Sequence, residues 1–283
     1  MILVSIDRII PLFSIPTSSV KTDLLGLHHG VHNFTFGTLE TYFGLTSSPG
    51  VVFDKGILFV PRPRAKTWVF VTNPDLDRLR GLQKQGPIYS QQRLELPKAS
   101  KFSELAYDLA AVFNPASYPN KKKRAQRITY PKSWIESHQI TIRSSVDLRD
   151  VNILHERWKE WKLAQPETYR MMFPSRRYYS CVEYALNDPD YALFSAYDKD
   201  NQLQAVRVLY VEDKQAFDLA QFGAFWAMPS NFSEYFASVT MRLLYDRGIT
   251  YLNCGASLNS HLSAFKSHWP HYKVESWAYG RMS

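Results

Sequence analysis

From about residue 139 onward, apolar and polar positions alternate in short runs that switch between a period of two and a period of three to four. Gln139 to Ile142 alternates as a half-buried strand should, and Asp147 stands before Val151, Leu154, Trp158 and Trp161. Those four apolar positions recur at three- and four-residue spacing, which predicts a capped amphipathic helix. A second helix is predicted over roughly 176–186, ending before the turn Asn187-Asp188-Pro189-Asp190. Three strands follow at close spacing, Tyr191 to Tyr197, Leu203 to Val211 and Ala216 to Phe222. The polar segments between them read as hairpin connections. Ser230 or Asn231 then caps a helix with the stripe Phe232, Phe236, Val239, Leu243 and Leu244, and Gly248 marks its stop. Ile249 to Asn253 reads as a buried strand, Leu258 to Ser267 as a short helix and Tyr272 to Tyr279 as a closing strand. The predicted order is β-α-α-β-β-β-α-β-α-β.

The first half reads as mixed α/β. Short strands are predicted at Val51 to Phe53, Gly56 to Val60 and Thr67 to Thr72, and an aromatic-faced helix at Phe34 to Phe43. Ser103, Ala106, Leu109, Ala110 and Phe113 have helical spacing. Between the halves, Asn114 to Lys132 carries Pro115, Pro119, Pro131 and the run Lys121-Lys122-Lys123-Arg124, with Arg127 close behind. Clustered prolines and like charges read as a connection between folded units. The expected division is therefore a domain over 1–120, a basic connection over 121–138 and a domain over 139–283.

Composition changes this picture in two respects. The chain of 283 residues is 45% apolar and 14% aromatic, enough for packed cores and against wholesale disorder. Its formal charge of +8 favours an anionic partner such as nucleic acid. Cys181 and Cys254 make no disulfide framework and no zinc signature, so no metal is expected, and a reducing, cytoplasmic setting is the simpler inference. The apolar patch near the N-terminus, broken by Pro11, is too short for a membrane span, so a soluble protein is expected.

Three stretches carry a family resemblance. Asn33 to Phe43 (NFTFGTLETYF) resembles the aromatic helix near the start of the domain found in phosphatidylglycerol lysyltransferases, and Lys121 to Gln139 resembles the lead-in to that domain's second half. The run Gly248-Ile249-Thr250-Tyr251-Leu252-Asn253-Cys254-Gly255, followed by Phe265-Lys266, is similar to the helix-glycine-strand-glycine run and Phe-Lys pair of the same group. The chain thus resembles the FemABX aminoacyl transferases and the C-terminal domain of phosphatidylglycerol lysyltransferases, within the GNAT superfamily. The resemblance implies an α/β (α+β) fold of two GNAT-like domains, the first degenerate, with mixed, mostly antiparallel sheets flanked by helices. It also implies transfer of an acyl or aminoacyl group to an amine or hydroxyl, with aminoacyl-tRNA or acyl-CoA as donor, and a charge-stabilising role for Lys266. Asn253 departs from the pattern, standing where family members carry an acidic residue. So does Gln221-Phe222-Gly223-Ala224-Phe225-Trp226-Ala227, where the acetyl-CoA loop of GNAT enzymes would lie. One glycine among bulky residues does not leave backbone amides open to a pyrophosphate.

Acyl transfer needs a proton acceptor and donors that steady an oxyanion. The candidate catalytic residues are Lys266, Asp218 and Asn253. Gly255, Ser257 and Asn259 follow the C-terminal end of a predicted central strand, where ligands collect in open α/β sheets. With Phe265 and Tyr235 they form the candidate substrate-binding set, Tyr235 reading equally as a core aromatic. Cys254 reads as a nucleophile or as a buried thiol, and His261, His268 or His271 as a general base. His28, His29 and His32 match no common zinc spacing. Lys121, Lys122, Lys123, Arg124 and Arg127, with Arg62 and Arg64, are candidates for phosphate contact, as tRNA or DNA. Three functions fit: an aminoacyl transferase, a DNA base-modifying transferase of the phage type, and an inactive nucleic-acid-binding module with the same fold.

Overall fold

A computed structural model describes residues 52–54, 57–60, 68–71, 75–84, 86–90, 93–165, 175–256 and 260–281. The chain divides into two compact units, one running up to Glu104 and resuming at Lys273, the other covering Leu105–Tyr272.

The first unit contains β1 (Val52–Asp54), β2 (Ile57–Val60), β3 (Trp68–Val71), α1 (Leu76–Gln83), β4 (Ile88–Ser90), the opening residues of β5 (Ala99–Asp108) and the closing strand β11 (Tyr272–Tyr279). Its strands lie in the order β1-β2-β3-β4-β11-β5. Neighbours β1–β2, β2–β3 and β4–β11 are antiparallel, whereas β3 and β4 are parallel and joined through α1. Asp75 caps α1 by accepting from the Arg78 amide at 3.2 Å. Leu79, Leu82, Ile88, Leu94, Leu96 and Tyr279 form the core of this unit. The buried Gln83 donates to the carbonyls of Pro97 (2.9 Å) and Gly280 (2.8 Å), which fixes the chain leaving β11.

The second unit holds the rest of β5, then α2 (Leu109–Phe113), α3 (Lys121–Arg124), α4 (Tyr130–Ser137), β6 (Thr141–Arg143), α5 (Leu148–Leu163), α6 (Ser175–Asn187), β7 (Tyr191–Tyr197), β8 (Leu203–Glu212), β9 (Gln215–Gly223), α7 (Phe232–Asp246), β10 (Tyr251–Ala256) and α8 (Ser260–Lys266). Strand order is β5-β10-β9-β8-β7-β6. The β6–β7, β7–β8 and β8–β9 pairs are antiparallel and β9–β10 is parallel. Asp147 caps α5 through the Arg149 amide at 2.7 Å, as the sequence predicts. Alternate residues of β8 point to opposite faces. Arg207 reaches α7 on one face (Ala237 carbonyl, 3.2 Å). Its neighbour Val206 pairs with Phe222, which packs against Trp158 of α5 on the other. Phe232, Phe236, Met241 and Leu244 of α7 are buried with Leu209, Ala216 and Leu252 in the main core. Burying a large apolar side chain contributes about 1.5–3 kcal/mol, so this stripe anchors α7 firmly. Val239 and Leu243, which share the predicted stripe, are only half-buried.

Two expectations change. The helix expected from Ser103 begins only at Leu109; Ala99–Asp108 is strand β5. Its residues Leu105, Ala106 and Tyr107 are buried in succession, so both faces of the strand are covered there. A strand buried on both faces loses its alternation and is easily read at helical spacing. The basic connection expected over 121–138 is helical, and α4 packs on α7. Pro115 and Pro131 stand in first helical turns, where a missing N–H costs nothing, and the Asn120 side chain caps the basic helix α3 through the Lys123 amide (2.9 Å). Between α3 and α4, Ala125–Thr129 winds as a single π-helical turn. The compact units accordingly meet at Glu104/Leu105 and Tyr272/Lys273 in the chain, not within 121–138. The expected helix at Phe34 to Phe43 lies outside the described residues. The fold is mixed α/β with a mostly antiparallel sheet flanked by helices.

Candidate active site

Strands β9 and β10 run parallel for three paired positions, Tyr251↔Gln215, Leu252↔Ala216 and Asn253↔Phe217. Beyond Phe217, β9 continues to Gly223 and β10 to Ala256 without further pairing between them. Parting leaves a notch, and the side chains at its apex carry the candidate chemistry.

A bulge in β9 sets which side chains face it. Val208 pairs with Ala220 and Leu209 with Asp218, so Leu219 is the extra residue. Because one residue is inserted, Asp218 and Gln221 both point toward α7, although three positions apart would otherwise put them on opposite faces. Gln221 meets Ser233 of α7 (3.4 Å), and Asp218 meets Arg207.

Arg207 is 2% exposed and makes every bond its position allows. Its Nε and Nη2 donate to Asp218 Oδ2 at 3.2 and 2.7 Å, and Nη1 donates to Thr240 Oγ1 at 2.7 Å and to the Ala237 carbonyl. Burial is the largest single influence and opposes its charge, but Asp218, Cys254 and Tyr107 together outweigh it, and the guanidinium pKa is raised. The Cys254 thiol donates to the same Asp218 oxygen at 3.8 Å. Burial, and then the Asp218 charge, push this thiol up to about 12, so at neutral pH it is a proton donor and no nucleophile. Tyr107 on β5 is likewise raised well above the ordinary phenol range, first by burial and then by Cys254. Its hydroxyl donates to the Lys266 carbonyl at 2.7 Å.

Lys266 closes the cluster from the end of α8. Its ammonium donates to the carbonyls of Cys254 and Gly255, the latter at 3.0 Å. Asn253 is fully buried, and its Oδ1 accepts from the Gly255 amide at 2.7 Å. That turn requires a left-handed backbone at Gly255 (φ 65°), which a glycine adopts freely. Just where β10 loses β9, Asn253 and Lys266 therefore hold the Cys254–Gly255 backbone.

The structure brings Lys266, Asp218, Asn253 and Gly255 into one cluster. Phe265 packs beside it, edge-on to Trp269 at 5.6 Å. Tyr235 is buried in the α7 core, edge-on to Trp134 at 5.2 Å, and does not reach the notch residues. Ser257, Asn259, Arg62 and Arg64 lie outside the described residues, as do His28, His29 and His32. Lys121, Lys122 and Lys123 are exposed and Arg124 is half-buried. Arg127 differs from them: it pairs with Glu234, donates from Nε to the His268 carbonyl at 3.2 Å and lies over the Trp269 ring. Its guanidinium is committed to the interior of the unit, not to the exposed basic run. Arg207 and Tyr107 escape the sequence reading. For Arg207 the signal is visible afterwards: a lone charge in the apolar run Ala205-Val206-Arg207-Val208-Leu209 needs a buried partner.

The glycine that ends β9 is not free to cradle a pyrophosphate. A Cβ at Gly223 would lie 2.5 Å from the Gln204 carbonyl, so this glycine serves the close approach of β8. The Ala224 amide donates to that same carbonyl at 2.8 Å, and the Ala227 amide donates to the Ala224 carbonyl. Among the described residues, no cluster of His, Cys, Asp or Glu is placed to hold a metal ion, and no helix is long and apolar enough to cross a membrane.

Solved structures share this architecture. A conserved protein of unknown function from Bacteroides thetaiotaomicron superposes with a TM-score of 0.62 at 11% identity, over 96% of this chain and 99% of that one. The C-terminal domain of a putative lysylphosphatidylglycerol synthetase from Agrobacterium fabrum gives 0.56 at 13% identity, over 92% of this chain and 90% of that domain. L-PGS from Bacillus licheniformis gives 0.52 at 11%, over 80% of this chain and 81% of that one. No family profile matches the sequence, and no curated protein sequence matches it. At these identities the likeness is one of fold: the chain shares the fold of these solved structures.

Proposed function

We propose that this protein transfers an aminoacyl or related acyl group directly from donor to acceptor in the notch between β9 and β10. The parting of that parallel pair beside Lys266, Arg207 and Asp218 is the observation that carries the reading. One of the similar structures is, by name, a domain of a putative lysylphosphatidylglycerol synthetase. In the transfer, an acceptor amine or hydroxyl attacks the acyl carbonyl and the bond to the donor oxygen breaks. The acceptor loses a proton and the departing oxygen gains one. The Lys266 ammonium supplies positive charge where the oxyanion develops, the largest single kind of stabilisation in acyl transfer. Cys254, held as a thiol, favours direct transfer over a thioester on the protein.

The donor we favour is aminoacyl-tRNA. Gly223 is packed against β8 and the Ala224 and Ala227 amides are already engaged, which disfavours acyl-CoA, and the exposed Lys121–Lys123 helix with the overall charge of +8 suits a polyanion. The test incubates purified protein with tRNA charged with radiolabelled amino acids and follows label into amine- or hydroxyl-bearing acceptors. Transfer in the wild type should fall at least about a hundredfold in Lys266→Ala, the scale of losing one oxyanion-stabilising group. Equal turnover by a folded Lys266→Ala variant retires the residue, and absence of transfer from every charged tRNA retires the donor.

A further inference from the structure

On the opposite face of the sheet from Arg207, at the end of β9 beyond its last pairing with β10, aromatic side chains gather without entering the cluster above. Phe222 lies against Trp158 (6.0 Å) and edge-on to His155 (6.5 Å, 90°). One turn further along α5, Trp161 stacks on Trp226 from the segment after β9, with ring centroids 4.6 Å apart and planes within 3°. Trp226 is 37% exposed, so part of this stacked pair is open to solvent. Lys162 holds its ammonium 4.9 Å from the Trp161 ring, and burial lowers its pKa.

We infer that Trp226, backed by Trp161, is a stacking platform for a nucleobase at a single-stranded nucleic-acid end. The inference rests on the nucleic-acid donor argued above and names how the donor's terminal base is held. A flat, rigid, pre-stacked indole pair offers a π-face to any base, the nearby ammonium suits the adjoining phosphate, and the net charge of the chain favours the same partner. A saturated acyl chain would gain nothing from coplanar rings.

The experiment measures fluorescence anisotropy of two labelled oligonucleotides of equal length and charge, about ten nucleotides long to span one such site. One is single-stranded RNA; the other carries abasic positions throughout. The wild type should prefer the base-bearing strand by about tenfold or more, the size of one base–aromatic stack. Trp226→Ala should erase that preference while keeping the abasic affinity, and Trp226→Phe should keep most of it. Trp226 is exposed, so its replacement leaves the core intact, which a thermal melt checks. Equal binding of both strands by the wild type, no binding of either, or an undiminished preference in Trp226→Ala overturns the inference. Binding through Trp226 without any acyl transfer leaves the platform standing and removes the transferase; transfer with a dispensable Trp226 does the reverse.

Discussion

His268 sits where three elements converge. Its Nδ1 lies 3.1 Å from Glu234 Oε2 at the start of α7, its carbonyl accepts from Arg127 of the π-helical turn, and its ring packs on Phe265 and Trp269. Burial, and then the Arg127 charge, lower its pKa below the ordinary value of 6.5. With the folded pKa below the unfolded one, the unfolded chain binds the proton first as pH falls. Stability therefore declines from about pH 6.5 downward and levels off below the folded pKa. Replacing His268 by Gln should flatten the fall of Tm between about pH 6.5 and 5, and a parallel fall in both proteins would show that another group governs it. The side chain is 38% exposed, so solvent screening keeps the effect modest. Individual residues were also the least legible part of the chain. Lys266 and Asp218 could be nominated because their neighbours fit a pattern. Arg207 and Tyr107 owe their place to a β-bulge and to a strand arriving from distant sequence, neither of which leaves a local trace.

Elements were far easier to read. Tyr191–Tyr197 and Tyr272–Tyr279 form as strands with the predicted limits, because turn-forming residues bound each run in the sequence. The α5 cap at Asp147 follows the same logic. Strand β5 was missed because two-sided burial hides the period, and the 121–138 segment because proline marks helix starts as well as breaks. The turn after β9 tests an element-scale claim. If Gly223 is required by the closeness of β8, Gly223→Ala must push the Gln204 carbonyl aside and should cost about 1–3 kcal/mol in chemical denaturation. A loss under about 0.5 kcal/mol, the level of an ordinary surface change, would mean the strands yield easily and the segment could reshape around a cofactor.

At the scale of the molecule, charge is the property to measure. The +8 excess is spread over the chain, but among the described residues Lys121, Lys122 and Lys123 form an exposed cationic helix with no acidic residue in its run. If this helix meets phosphates, replacing all three by Ala should lower tRNA affinity and make the log-affinity against log-salt slope shallower by up to about three units. An unchanged slope would place the contact elsewhere. The fold class was legible at this scale because the order of strands and helices suffices to define it. The boundary between the compact units was not, since the last strand returns to the first unit after 168 intervening residues, Leu105–Tyr272, have folded as the second.

The gap at the end of β10 is hemmed. Lys266 occupies the carbonyls of Cys254 and Gly255, and Asn253 occupies the Gly255 amide, so this margin of the sheet is already finished by side chains. Drawing the two strands together would mean breaking those bonds before any new rung formed. The separation of the two strands is therefore held by the protein's own side chains.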